Sequence, residues 1–190
     1  MTCSNCGKEV GEARVLPRYI PKNLGIGGIV LLNAVSERRC EHCGSVESIS
    51  IPNLNGLMAS IAACRISLPT KLNGTEWRFF RQVIDHTATE LARRLDIRKE
   101  AISRIENSAE PAGPHLEIRF RIYVYFRVRR FTRIKVDLEA LLMMPLRMSA
   151  HPETPVTMRF VLRVVPPKKL TARPTRPAYV EARVGRSEAA

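Results

Sequence analysis

Cys3-Ser4-Asn5-Cys6-Gly7 and Cys40-Glu41-His42-Cys43-Gly44 are the stretches on which the fold turns. In each, two residues separate the cysteines, so a tight turn can aim both thiolates at one ion about 2.3 Å away. The glycine after each second cysteine suits a turn that needs positive φ or close backbone approach. Two pairs supply four ligands, the closed tetrahedral shell of a structural zinc site. The competing readings are two disulfides, a redox pair, or chance. Disulfides fit poorly, because Met1–Val10 does not read as a secretion signal and the cytosol keeps thiols reduced. Cys3, Cys6, Cys40 and Cys43 are therefore the expected ligands of one structural Zn2+. His42 reads as a solvated turn residue, not a fifth ligand.

Around these pairs, Arg14–Ile20, Gly28–Arg39 and Glu47–Ile51 read as short strands, separated by Pro21 and the Gly25-Ile26-Gly27-Gly28 turn. The glycine cluster is no phosphate loop, since no lysine or serine follows it. A small sheet of this kind buries too little to fold unaided and would depend on its metal. After the Pro52-Asn53 break, Leu54, Leu57, Met58, Ile61 and Cys64 share one face of an amphipathic helix.

The chain has 190 residues, 45% of them hydrophobic but only 6% aromatic, so its core must be mainly aliphatic. Lysine and arginine number 31 against 18 acidic residues, a net charge of +13 that favours a polyanionic partner. Residues 1–73, 74–128 and 129–190 carry +3, +2 and +8, so most of the excess lies in the last third. No apolar stretch reaches the roughly 18 residues a membrane span needs, and a cytoplasmic protein without a membrane role is expected.

Thr87-Ala88-Thr89-Glu90 is a capping box: Thr87 would cap the first turn and Glu90 would reach back. Leu91, Ala92, Leu95, Ile97, Ile102 and Ile105 then describe two short helices, Thr87–Leu95 and Lys99–Glu106, with a turn at Asp96–Arg98. Leu91, Leu95, Ile97 and Ile102 would face inward. Ala92 is small where a second helix must cross closely, as helix-turn-helix geometry requires. An ordinary helical hairpin is the plainer alternative.

With Leu91-Ala92 and the close Ile102-Ser103-Arg104-Ile105-Glu106-Asn107, this segment resembles the Xre (lambda-repressor-like) helix-turn-helix. Together with both CxxCG motifs and Ile51-Pro52-Asn53-Leu54-Asn55-Gly56-Leu57, residues 1–128 resemble the MqsA/YgiT-type family. Those proteins join an N-terminal zinc-binding domain to a C-terminal helix-turn-helix, and some are antitoxins of toxin–antitoxin pairs. The resemblance implies a homodimeric repressor of duplex DNA, with a toxin protein as a further partner. Four positions depart from the pattern. Asp96 stands at the turn glycine, Arg98 at the small N-cap, Ala88 at a frequent operator-reading glutamine, and Ser108 at the glycine after Glu-Asn.

The expected architecture is α+β: a zinc-clamped β domain over 1–52, a linker helix and loop over 53–73, and an all-α helix-turn-helix domain over 74–128. Within it, His115–Phe131 should be the closing helix, although Ile118–Tyr125 has strand propensity. Residues 129–190 read as a basic, proline-rich extension, with a helix over Leu138–Met144, a strand over Val156–Val165 and a flexible tail from Pro166 to Arg186. In helix-turn-helix docking the start of the second helix meets base edges. Lys99, Glu100 and Arg104 are then base-reading candidates, Arg98 the phosphate contact at the helix entrance, and Ser103 completes the expected DNA-binding set without itself reading a base. A transcriptional regulator is the leading reading, and a toxin-masking module is the alternative. Catalysis is not expected, since a closed thiolate shell leaves no open position and no nucleophile–base pair stands out.

Overall fold

Between the cysteine pairs, alternating and β-branched residues build β1 (Arg14–Tyr19) and β2 (Ile29–Arg39), followed by β3 (Val46–Ser50). A computed structural model describes residues 1–146, 149–150, 157–164 and 177–185. The eleven-residue β2 is the spine of a five-stranded sheet. β1 runs antiparallel along one edge, with its register shifting across Pro17, which has no N–H to give; Asn33 of β2 takes up the extra residue at φ 50°. The other edge is shared. β3 pairs antiparallel with Ser36–Arg39, and β4 (Thr157–Val164) pairs parallel with Ile29–Leu32. β5 (Pro177–Gly185) closes the order antiparallel to β4. Paired in parallel with β4, Ile29, Val30 and Leu31 are almost fully buried, which explains an unbroken apolar run.

The helices occupy the long connection from β3 to β4: α1 (Leu54–Ile66), α2 (Gly74–Val83), α3 (Ala88–Leu95), α4 (Lys99–Glu106), α5 (Pro114–Val128) and the short α6 (Leu138–Leu142). α1 is not the amphipathic linker helix expected. Gly56, Leu57 and Ala59 through Ile66 are all buried, whereas Leu54 is exposed. Small residues at Gly56, Ala59, Ser60, Ala62 and Ala63 let neighbours approach from every side, so α1 is the central helix. Trp77 stacks on Phe120 at 4.0 Å between centroids, with Phe80 beside them.

α5 is a helix, as expected, and its inner face explains the conflicting strand signal. Glu117, Arg121, Val124 and Val128 recur at helical spacing and are buried, but two of them are charged. Arg121 binds Glu117 at 2.6 Å and donates to the carbonyls of Ile66, Leu68 and Thr70. Arg65 binds Glu76 and donates to the carbonyls of Thr70 and Lys71. Glu117 in turn accepts from Leu72 N–H at 3.0 Å. Two buried arginines thus satisfy the backbone of the α1–α2 loop, as buried polar groups require.

The C-terminal third corrects the sequence expectation. The strand over Val156–Val165 is present as β4, but β5 lies inside what read as a flexible tail; residues 166–176 and 186 of that tail are outside the described residues. The sheet is therefore not confined to residues 1–52. Nor does packing break at residue 52 or 73, for Ile29, Leu31 and Val35 share one buried cluster with the helices and with Met158 and Phe160 of β4. The separate cluster is small, consisting of Cys3, Val10 and Cys40.

Candidate functional site

Each cysteine pair sits on the same turn. Gly7 and Gly44, at φ 70° and 72°, donate their N–H to the carbonyls of Cys3 and Cys40, while Cys3 and Cys40 donate theirs to Lys8 and Ser45. Both glycines use the left-handed conformation that their place in the motif suggested. The two turns face each other. Cys3 Sγ lies 3.6 Å from Cys43 Sγ, Cys6 Sγ lies 3.6 Å from Cys40 Sγ, and all four sulfurs fall within 4.8 Å of one another. A tetrahedron with metal–sulfur bonds of 2.3 Å has edges of about 3.8 Å, so the cluster fits such an ion closely. Cys3 and Cys40 are buried, Cys6 and Cys43 exposed. The four sulfurs could therefore hold a metal ion at the protein surface.

The thiols are not equivalent. Glu47 of β3 accepts from Cys3 Sγ and from Ser4 N–H, both at 3.1 Å, and its carboxylate pushes the Cys3 thiol up to about 12. Cys43 is held down at about 6, chiefly by the Ser45 backbone N–H, with the Asn5 side chain adding to it. Glu47 escaped the sequence reading, because a glutamate between Val46 and Ser48 looks like any outward strand residue. His42 is exposed and has Lys8 Nζ 3.5 Å from its Nδ1, well apart from any ligand role. Cys64 is buried in α1, away from the cluster, and burial raises its thiol to about 11.

α3 and α4 meet across the turn Asp96–Arg98. Thr87 accepts from Glu90 N–H at 3.2 Å and Glu90 accepts from Thr87 N–H at 2.8 Å, the reciprocal cap expected. A second such cap joins Asn73 and Glu76 at the start of α2; its Asn-x-x-Glu spacing was legible in the sequence, and Glu76 also accepts from the buried Arg65. Leu91, Ala92, Leu95 and Ile102 are buried, and Ile97 is half-buried. Two departures from the family pattern have a visible backbone consequence. Asp96 and Ser108 adopt φ 53° and 58°, the left-handed region in which glycine would be unstrained. Arg98 makes no side-chain cap to α4.

The far end of α4 is anchored to α2. Glu106 accepts from Arg81 at 2.6 and 2.9 Å, and Arg81 also holds the His86 carbonyl at 3.0 Å, tying α4 to the α2–α3 turn. Gly74 is required here, since a Cβ would lie 2.5 Å from the carbonyl oxygens of Ile105 and Glu106. Asn107 accepts from Arg78 at 2.9 Å. Glu106 and Asn107 thus hold α4 against α2. Arg98, Lys99, Glu100, Ser103 and Arg104 are all exposed, and Arg104 lies 3.7 Å from Glu110. Asp85-His86 forms the turn out of α2, where His86 Nε2 meets Tyr123 Oη at 2.6 Å.

Comparison with family models, curated proteins and solved structures finds no match to this chain. Among the described residues, no helix is long and apolar enough to cross a membrane.

Proposed function

We infer that this chain is a sequence-specific regulator of transcription, a repressor that binds duplex DNA through α3 and α4 and carries one structural zinc ion on Cys3, Cys6, Cys40 and Cys43. In this reading it resembles the MqsA/YgiT-type family, acts as a homodimer in the cytoplasm, and is the antitoxin of a type II pair where a toxin accompanies it. One observation carries the reading. α4 is fastened by Ile102, Ile105 and Glu106, while Arg98, Lys99, Glu100, Ser103 and Arg104 all stay exposed along its free face. A rigid helix with a free polar start is what major-groove docking needs. Arg98 and the exposed Arg93 and Arg94 would meet phosphates, and Lys99, Glu100 and Arg104 would meet bases.

The zinc assignment rests on donor chemistry: four thiolates at tetrahedral spacing are a soft, closed set that leaves no position for water. The ion would brace the turns and perform no reaction.

Selecting bound sequences from a random duplex pool with the full-length chain tests the reading. Enrichment of one motif is expected, and a pool that stays random sinks it. The full chain is the right reagent, because ending it at Val128 would strip β4 from the exposed edge of β2.

A second reading, a module that masks a toxin protein, draws support from the metal end. Val15, Val46 and Ile49 are exposed there on β1 and β3. A partner held equally by wild type and by an Arg98→Ala, Lys99→Ala, Arg104→Ala variant would favour it.

A further inference from the structure

α5 ends in a segment without one acidic residue: Phe126-Arg127-Val128-Arg129-Arg130-Phe131-Thr132-Arg133-Ile134-Lys135. Val128 is buried and Ile134 half-buried, whereas Arg127, Arg129, Arg130, Arg133 and Lys135 are all exposed. Elsewhere Arg65, Arg78, Arg81, Arg104 and Arg121 each face a carboxylate. Among the described residues, none of the five cations of this segment forms an ion pair.

Two of the arginines are held in place by aromatic rings. Arg129 lies 5.0 Å from the centroid of Phe126, and Arg130 lies 4.7 Å from that of Phe131. Stacking of this kind fixes the guanidinium and lowers the entropy lost when it binds. A guanidinium also matches two phosphate oxygens with its fork of N–H groups, which a lysine cannot do. Phe126 and Phe131 are themselves about half exposed. With a cation over each ring they are poorly suited to enter lipid, where an interfacial helix offers bare aromatic rings.

The segment's position identifies its partner. α5 runs antiparallel to α3. Arg119 donates to the Leu95 carbonyl at the end of α3, and Tyr123 meets His86 just before its start. Arg127 lies one helical turn beyond Tyr123 on the same face, so the cationic segment begins beside the N-terminus of α3. In helix-turn-helix docking that helix crosses the phosphate backbone. We propose that Arg127, Arg129, Arg130, Arg133 and Lys135 form a second, sequence-independent surface for the duplex backbone, extending the contact made by α3 and α4. The choice of a duplex rests on the reading of α4 given above.

The test compares the full chain with a full-chain variant carrying Arg127→Gln, Arg129→Gln, Arg130→Gln and Arg133→Gln. Duplex binding is measured from 50 to 200 mM salt. Each phosphate contact adds about 0.9 to the log–log salt slope, so the variant's slope should flatten by about 3–4. Its ranking of single-base variants of the site should be unchanged. A slope equal to wild type overturns the proposal. The corresponding Arg→Lys variant should keep most of the slope; losing it as completely as the Gln variant does would mean that charge is not what acts, and would equally overturn it. A variant that keeps its duplex slope but loses binding to phosphatidylserine–phosphatidylcholine vesicles assigns the surface to a membrane and also overturns it. If wild type shows no base preference yet a steep slope that the Gln variant flattens, the regulator reading fails and this surface stands.

Discussion

The two ends of the molecule are held together by different physics. At the metal end only Cys3, Val10 and Cys40 form a buried apolar group, and the turns converge on four sulfurs. The helical body buries Trp77, Phe80, Phe120 and most of α1, with Arg65 and Arg121 wired into its centre. With so little apolar burial, the cysteine turns would draw their stability from an ion held by the four sulfurs, whereas the body is stabilised by packing. Their responses to damage should therefore differ.

The largest effect is expected from Cys40→Ser with Cys43→Ser. Bound zinc should fall from about one equivalent to none, and the N-terminal turns should become open to protease. Helical circular dichroism should persist, because β2 and the helices share a core separate from the cysteine cluster. Simultaneous loss of the helices would show that the two ends are one cooperative unit. Cys64→Ser should leave the metal content unchanged.

Next comes Arg121→Ala, which strands Glu117 and the carbonyls of Ile66, Leu68 and Thr70. Breaking a buried pair in this way should cost about 3–5 kcal/mol in urea unfolding, with zinc content unaffected. Replacing Arg121 and Glu117 together by methionine should cost less, since no lone charge remains buried. A smaller loss for the single variant than for the double would refute the role assigned to the network.

A more modest effect concerns the face of α4. Arg104→Ala should relax preference at one base pair by about 1–3 kcal/mol, whereas Arg98→Ala should weaken binding to all sequences alike. A uniform loss for Arg104→Ala would move that residue to the phosphate contacts.

The smallest is Asp96→Gly. Removing the side chain from a left-handed residue should raise stability by about 0.5–1 kcal/mol, read as a shift in the urea midpoint. No shift would mean that Asp96 carries a compensating contact in solution.

The candidate site was far more legible in the sequence than the assembly of the fold. Paired cysteines with following glycines, the Thr87–Glu90 cap and the α3–α4 spacing are local signals, written within ten or so residues. Glu47 was invisible, because its meeting with Cys3 depends on β3 folding back over the first cysteine turn. The closing helix was ambiguous for a related reason. Glu117 and Arg121 occupy inward positions, so the apolar period that marks a helix is interrupted by charges that pair with each other and are hydrogen-bonded by the α1–α2 loop.

By itself, then, the sequence determined the four thiolates, the first three strands, both helices of the candidate DNA-binding unit and a surplus of cations. Tertiary structure alone decided that α1 lies at the centre, that two charged pairs are buried, and that the last strands join the first sheet. β4 reaches β2 in a parallel pair across more than a hundred residues of intervening chain. No local pattern encodes such a pairing. It depends on the whole fold bringing β4 alongside the apolar edge Ile29–Leu32.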